Sequence, residues 1–314
     1  MKMKKIWILM AILALFLCCF TACGEENPDM VEDSTTTTVR AFMAELPDEA
    51  PLSSLALPGT HDSGATVDMV LPGTAKCQSL TIGEQLSIGV RFFDIRLRRV
   101  EGSLHVYHGE VDQKLSFDEV LTAFYAFLDT YPTEAVIVCI KEEADPVDTA
   151  ESFDAAIKRV LSENADRWYL ENKIPTLGEA RGKCVLMRRY GTAGIYGFGA
   201  ASGWRDNTTF TIENPGCRLR VQDCYEQEAP EGKWEAIHAF FDTMAQKEKD
   251  TYYLNYTSGY VKNFLGIPNI LTVSDYVTPK LYEALLEKPD VQGIFVSDHI
   301  TQDLAQAIYE LNFQ

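Results

Sequence analysis

Short β-forming runs alternate with helix-forming stretches from residue 55 to the end of the chain, and this rhythm constrains the fold more than any single motif. Strands read at 55–58, 90–97, 104–108, 135–140, 184–189, 218–223, 252–256 and 293–297. Helices fit best at 116–129, 149–163, 234–248, 275–286 and 301–311. Ser116 with Glu119 three residues on is a capping-box signal. Strand then helix, repeated about eight times, predicts an α/β fold, a single irregular TIM-type (β/α)8 barrel. The irregularity is expected because some intervals lack a clear helix. With 314 residues, 46% of them hydrophobic, the chain supplies one large core.

The strand at 90–97 shows where chemistry would sit. Period-two alternation puts Phe92, Asp94 and Arg96 on one face and Phe93, Ile95 and Leu97 on the other. In a barrel the apolar face packs on helices, so Asp94 and Arg96 point inward near the strand's C-terminal end, where barrel active sites form. The other polar groups obey the same rule. His61 and Asp62 follow the first strand, inside Leu57-Pro58-Gly59-Thr60-His61-Asp62-Ser63-Gly64. His108, Arg189 and Asp223 end their strands, and Lys141 and Asp298 follow theirs. One mouth would collect them all. Two histidines can serve as general base and general acid. An arginine between them in sequence can offset charge on a transferring phosphoryl group. The pattern points to metal-free phosphodiester chemistry. His105, His238 and His299 read as structural or surface residues.

The N-terminus reads as a targeting segment. Lys2, Lys4 and Lys5 precede an apolar run from Ile6 to Phe20, then Phe20-Thr21-Ala22-Cys23. This resembles a bacterial lipoprotein signal over residues 1–23, with Cys23 as the lipidated residue and an ordinary secretory signal as the alternative. Residues 24–44, which include Thr35-Thr36-Thr37-Thr38, read as a flexible tether, and 45–314 as the catalytic domain. The chain carries 28 basic and 46 acidic residues, a net charge of −18; loss of a leader with three lysines and no acid would leave −21. Such a surface is repelled by nucleic acid and by anionic membranes. Five cysteines remain beyond the leader: Cys77, Cys139, Cys184, Cys217 and Cys224. Their number is odd, they show no zinc spacing, and a Cys217–Cys224 bridge stays open.

Pro58-Gly59-Thr60-His61-Asp62-Ser63-Gly64, Phe93-Asp94-Ile95-Arg96 and His108-Gly109 together resemble the bacterial phosphatidylinositol-specific phospholipase C family. The likeness runs from about residue 55 to 300 and includes Ile140-Lys141-Glu142, Ala180-Arg181-Gly182-Lys183, Arg189-Tyr190, Val221-Gln222-Asp223-Cys224-Tyr225 and Ser297-Asp298. It implies that His61 is the base that frees the inositol 2-hydroxyl to attack phosphorus, oriented by Asp298. It implies His108 as the acid for the leaving diacylglycerol oxygen, supported by Asp62. Arg96 would bind phosphoryl oxygens, held by Asp94. Lys141, Arg189 and Asp223 would bind ring hydroxyls, and Tyr225 would stack on the ring. Calcium-using relatives place a carboxylate where Arg96 stands, so no metal or other cofactor is expected.

The implied substrate is phosphatidylinositol, with glycosyl-phosphatidylinositol anchors as a further class. The implied products are diacylglycerol and inositol 1,2-cyclic phosphate. Trp168, Trp204 and Trp234 do not align with the family's membrane-inserting loops, whereas Phe264 and Leu265 fall near one of them. Gly191–Gly203 reads as a rim loop. The chain is expected to be an exported, lipid-anchored monomer. Two other readings stay open. One is a metal-dependent glycerophosphodiester or sphingomyelin phosphodiesterase of the same superfamily, against which Arg96 counts. The other is a non-catalytic surface lipoprotein that binds inositol lipids or sugars, since fold does not fix function.

Overall fold

The computed structural model describes residues 40–69 and 72–314. Cys23, the leader and the threonine run lie outside the described residues. The strands are β1 (Ala56–Thr60), β2 (Phe92–Val100), β3 (Ser103–His108), β4 (Val111–Ser116), β5 (Val136–Glu142), β6 (Trp168–Tyr169), β7 (Cys184–Arg189), β8 (Phe198–Gly199), β9 (Thr208–Asn214), β10 (Cys217–Asp223), β11 (Glu226–Gln227), β12 (Thr251–Tyr256), β13 (Tyr260–Lys262), β14 (Pro268–Asn269) and β15 (Gly293–Ser297). The helices are α1 (Ile82–Ser87), α2 (Phe117–Thr130), α3 (Phe153–Glu163), α4 (Leu177–Ala180), α5 (Pro230–Met244), α6 (Leu271–Leu286) and α7 (Gln302–Tyr309).

The main parallel strands run in the order β7-β5-β2-β1-β15-β12-β10, so the first strand pairs with the last. The sheet curls round as an open barrel: among the described residues no strand pairing joins its β7 edge to its β10 edge. It is an irregular one: β7 is flanked by the short β6 and β8, and β10 by the antiparallel β9. The Asn214 side chain bridges the seam between these edges, at Gly199, which Asn172 holds from its own edge. Gly199 donates to the Asn172 side chain at 3.0 Å, and the Asn214 amide donates to the Gly199 carbonyl at 2.8 Å.

Two apolar cores follow from the alternation. Phe92 packs inside the barrel with Leu57, Cys139, Met187, Leu254 and Val296. Phe93, Ile95 and Leu97 face outward onto the helices with Val120, Phe124 and Ile157. The inward and outward faces are those the sequence predicts. The capping box at Ser116 forms, and an unpredicted one at Thr81 starts α1.

Two expectations are corrected and one open alternative is closed. The strand ending at His108 is not a barrel stave. It returns antiparallel on β2 through Glu101 and Gly102, both at positive φ (51° and 83°), the backbone of a two-residue hairpin turn. His108 therefore reaches the mouth on a ribbon arm. The folded domain starts before residue 45: Phe42 and Met43 are buried, Phe42 stacks on Tyr309 at 4.8 Å, and the Met43 amide donates to Glu134 at 3.0 Å. A Cys217–Cys224 bridge is excluded by β10. At about 3.3 Å per strand residue the two lie roughly 20 Å apart, beyond the ~7 Å limit for a disulfide; both thiols are free.

Candidate active site

β1 runs out at Thr60, and the chain turns sharply there. Asp62 sits at φ 39°, and the Thr60 hydroxyl donates to Gln85 Oε1 at 2.8 Å and lies 2.7 Å from the Ser63 hydroxyl. The His61 backbone is pinned from both sides: its amide donates to Ser297 at 3.0 Å, and the Gln78 amide donates to its carbonyl at 2.8 Å. The imidazole is oriented as a base. Nδ1 is 2.8 Å from Asp298, and Nε2 is 2.7 Å from an Arg96 guanidinium nitrogen. Arginine can only donate, so Nε2 carries the lone pair and Nδ1 the proton.

Arg96 is fixed by carboxylates. Its Nη2 and Nε lie 3.1 and 3.3 Å from Asp94 Oδ2. Burial alone would raise the fully buried Asp94, but Arg96 and Arg189 together hold its carboxyl far below the usual range. Arg96 also approaches Glu143 at 3.6 Å and Asp62 at 3.8 Å.

His108 faces the same mouth from the ribbon. Its Nδ1 is 2.8 Å from the Ala75 carbonyl, to which it donates, and 3.6 Å from Asp62 Oδ2. Asp62 is thus adjacent without a hydrogen bond, and burial pushes its carboxyl up to about 8 despite Arg96. Burial, then the Arg96 charge, pulls His108 below its ordinary value.

The remaining predicted groups complete a cavity of about 420 Å³, within the range of small-ligand sites. Lys141 pairs with Glu143 at 2.7 Å, and burial lowers its ammonium. Arg189 reaches Asp94 at 3.5 Å and the Tyr256 hydroxyl at 3.4 Å. Asp223 accepts from Trp204 at 3.2 Å, and the Tyr225 hydroxyl donates to Asp206 at 2.5 Å. His61, Arg96, His108, Lys141, Arg189, Asp223, Tyr225 and Asp298 all line the one cavity, while Asp62 and Asp94 lie buried behind it. His105, His238 and His299 do not line it.

Sequence reasoning missed two contributors. Glu143 accepts from the Gly109 amide at 2.9 Å while gripping Lys141, so it ties the His108 arm to the barrel. Arg96 and Lys141 hold its carboxyl at about 2 against burial. Its signal was available: β5 runs to Glu142, so Lys141 and residue 143 share a face. Trp204 stacks on the Arg189 guanidinium 3.6 Å from its ring centroid, and no spacing rule marks it.

Residues 50–190 match the family model described as phosphatidylinositol-specific phospholipase C, X domain. A 1-phosphatidylinositol phosphodiesterase of Staphylococcus aureus (strain Newman) is 32% identical over 241 residues, covering 72% of this chain and 77% of the relative. The chain belongs to the phosphatidylinositol-specific phospholipase C family. A further relative in this family, the 1-phosphatidylinositol phosphodiesterase of Listeria monocytogenes, is 33% identical over 167 residues, half of each chain. Among solved structures, a mutant phosphatidylinositol-specific phospholipase C from Staphylococcus aureus superposes with a TM-score of 0.76 at 25% identity. It covers 84% of this chain and 96% of that one. The irregular barrel is thus the fold of this family of phospholipases C.

Proposed function

We propose that this protein is a phosphatidylinositol-specific phospholipase C that releases diacylglycerol and inositol 1,2-cyclic phosphate. The observation that carries this reading is Arg96 bridging Asp94 and the lone-pair nitrogen of His61, with His108 on the same cavity. A phosphodiester anion draws the guanidinium onto its oxygens and frees Nε2. His61 then takes the 2-hydroxyl proton, and Asp298 stabilises the imidazolium that forms. The 2-oxygen attacks phosphorus as Arg96 balances the charge. His108, protonated on Nε2, gives that proton to the departing glycerol oxygen.

Lys141, Arg189 and Asp223 present donors and acceptors to the ring hydroxyls, and Tyr225 offers a face for stacking. The same cavity admits glycosyl-phosphatidylinositol anchors where the glycan leaves through the open mouth. Arg96 takes the place of an acidic metal ligand, which favours a metal-free reaction over a metal-dependent one.

The membrane mode is also proposed. Phe264 and Leu265 are 96% and 68% exposed on the loop between β13 and β14, beside the cavity residues Tyr260 and Ile270. They would rest in the lipid interface as this acidic protein, exported and tethered through lipidated Cys23, works as a monomer. An acyl anchor holds at high salt, so recovery of the protein in the high-salt wash would refute the tether.

Phosphorus NMR of the purified protein with phosphatidylinositol and excess EDTA tests the chemistry, beside His61→Ala. Cyclic phosphate should appear only with the unsubstituted protein. Activity that needs added calcium or magnesium would overturn the metal-free reading, and no product under any condition would favour a binding role.

A further inference from the structure

Cys77 lies where the two histidine–carboxylate pairs meet. Its Sγ lies within 4.8 Å of a His61 ring nitrogen and an Asp298 oxygen, and equally of a His108 ring nitrogen and an Asp62 oxygen. In the second group two of the spacings match those of a zinc site. Sγ is 3.6 Å from His108 Nδ1, and Asp62 Oδ2 is 3.6 Å from the same nitrogen. Ligands held about 2.0–2.3 Å from one tetrahedral zinc stand roughly 3.3–3.6 Å apart. The Ala75 carbonyl, 2.8 Å from Nδ1 and 4.0 Å from Sγ, supplies a fourth oxygen on the same side.

Asp62 is the independent sign of a ligand. Its side chain is fully buried, Oδ2 faces His108, and neither oxygen has a hydrogen-bond partner. A buried carboxylate without partners is costly, and a coordinated cation removes that cost. The Arg96 cation, 3.8 Å from Oδ2, opposes a second positive charge there. The buried carboxylates of Asp94 and Glu143, on the other sides of Arg96, offset it.

We propose that Asp62, Cys77 and His108 form an inhibitory site for a thiophilic divalent cation, zinc or cadmium, behind the general acid. This rests on reading His108 as that acid. On binding, the Cys77 thiol proton and the Asp62 carboxyl proton both leave to solvent, and the sulfur and the carboxylate bond the metal as anions. His108 gives its Nδ1 lone pair to the metal, so its one ring proton moves to Nε2. A metallated ring cannot become an imidazolium, and its Nε2 proton is far less acidic. The leaving oxygen then has no competent proton donor, and turnover stops.

The test has two independent readouts. Cadmium titrated into the purified protein should give the ultraviolet thiolate-to-cadmium charge-transfer absorption with one equivalent bound. The band should vanish in Cys77→Ala and Cys77→Ser and persist in Cys224→Ala. In Asp62→Asn the cadmium affinity should fall roughly 10- to 100-fold. Zinc should inhibit the EDTA-treated enzyme reversibly, and Cys77→Ser should need at least about tenfold more zinc for the same inhibition. Absence of the band, or equal zinc sensitivity in Cys77→Ser, overturns the proposal. A band lost in Asp298→Asn but kept in Asp62→Asn moves the cation to the His61 group and also overturns it. Basal activity in EDTA tests the phospholipase reading separately, and the cadmium band needs no activity.

Discussion

The Arg96 guanidinium donates a 2.7 Å hydrogen bond to His61 Nε2, the nitrogen that the proposed mechanism makes the proton acceptor. On that proposal the resting base is capped by the group assigned to the phosphoryl oxygens. Substrate uncaps it, because a phosphodiester anion competes for the guanidinium more strongly than a neutral imidazole does.

Arg96→Lys keeps the charge and loses the planar fork that spans Asp94, His61 and phosphate at once. We expect kcat to fall roughly 10²- to 10³-fold, the usual loss when one transition-state donor is removed. Ground-state affinity for free myo-inositol should barely change. Comparing kcat with inositol inhibition constants checks this, and a selective loss of inositol binding would contradict it.

His108 should set the basic limb of the pH profile. His108 is pulled below its ordinary 6.5 by burial and then by Arg96. An acid must be protonated, so the basic limb of kcat/KM should begin below pH 6.5 in the free enzyme. Neutralising Arg96 removes part of the downward pull, so Arg96→Gln should raise the His108 titration midpoint. NMR titration of the His108 ring in both proteins measures the shift, and a midpoint that falls would be contrary to this electrostatic account.

Two carboxyls should shape stability at opposite ends of the pH range. Glu143 is depressed from 4.5 to about 2, with burial opposing Arg96 and Lys141. Its stabilisation is complete above pH 4.5 and lost as pH falls through about 2. Asp62 is raised from 3.8 to about 8, mainly by burial. Its contribution is complete below pH 3.8 and lost as pH rises through about 8. Glu143→Gln should therefore lower Tm by several degrees at neutral pH, and the gap should close in acid. Asp62→Asn should match the parent in acid and gain on it above pH 8. Calorimetric Tm against pH decides both.

Much of this was legible because barrel strands obey strict parity. Asp94 and Arg96 were placed inside, and Phe93, Ile95 and Leu97 outside, from alternation alone. Strand ends then located Lys141, Arg189, Asp223 and Asp298 at one mouth. What alternation cannot show is pairing direction. The run ending at His108 looks the same as a barrel stave or as a hairpin return, and only the Glu101-Gly102 turn separates them. β9 was missed for a related reason: it is an exposed edge strand whose Pro215-Gly216 turn gives the only cue. Trp204 depends on the fold bringing a loop back over Arg189, and local sequence carries no sign of that.

Trp204 yields the last prediction. Its ring lies 3.6 Å over the Arg189 guanidinium, and its indole N–H donates to Asp223 at 3.2 Å. One side chain thus holds both a donor and an acceptor that the proposed function assigns to the inositol ring. It also packs edge-on to Phe210 and Tyr256 at 5.3 and 6.0 Å, so it is itself held rigidly. A partly desolvated cation–π contact is worth about 2 kcal/mol. In Trp204→Ala the two groups lose their positions without loss of the histidines or Arg96. KM should rise about 10-fold or more with kcat changed much less, since each 1.4 kcal/mol is worth a factor of ten. Trp204→Phe keeps a ring under Arg189 but drops the bond to Asp223, so it should fall between the two. Initial rates over a range of phosphatidylinositol in detergent micelles separate KM from kcat. An equal fall in kcat for both variants would place Trp204 in the chemical step instead.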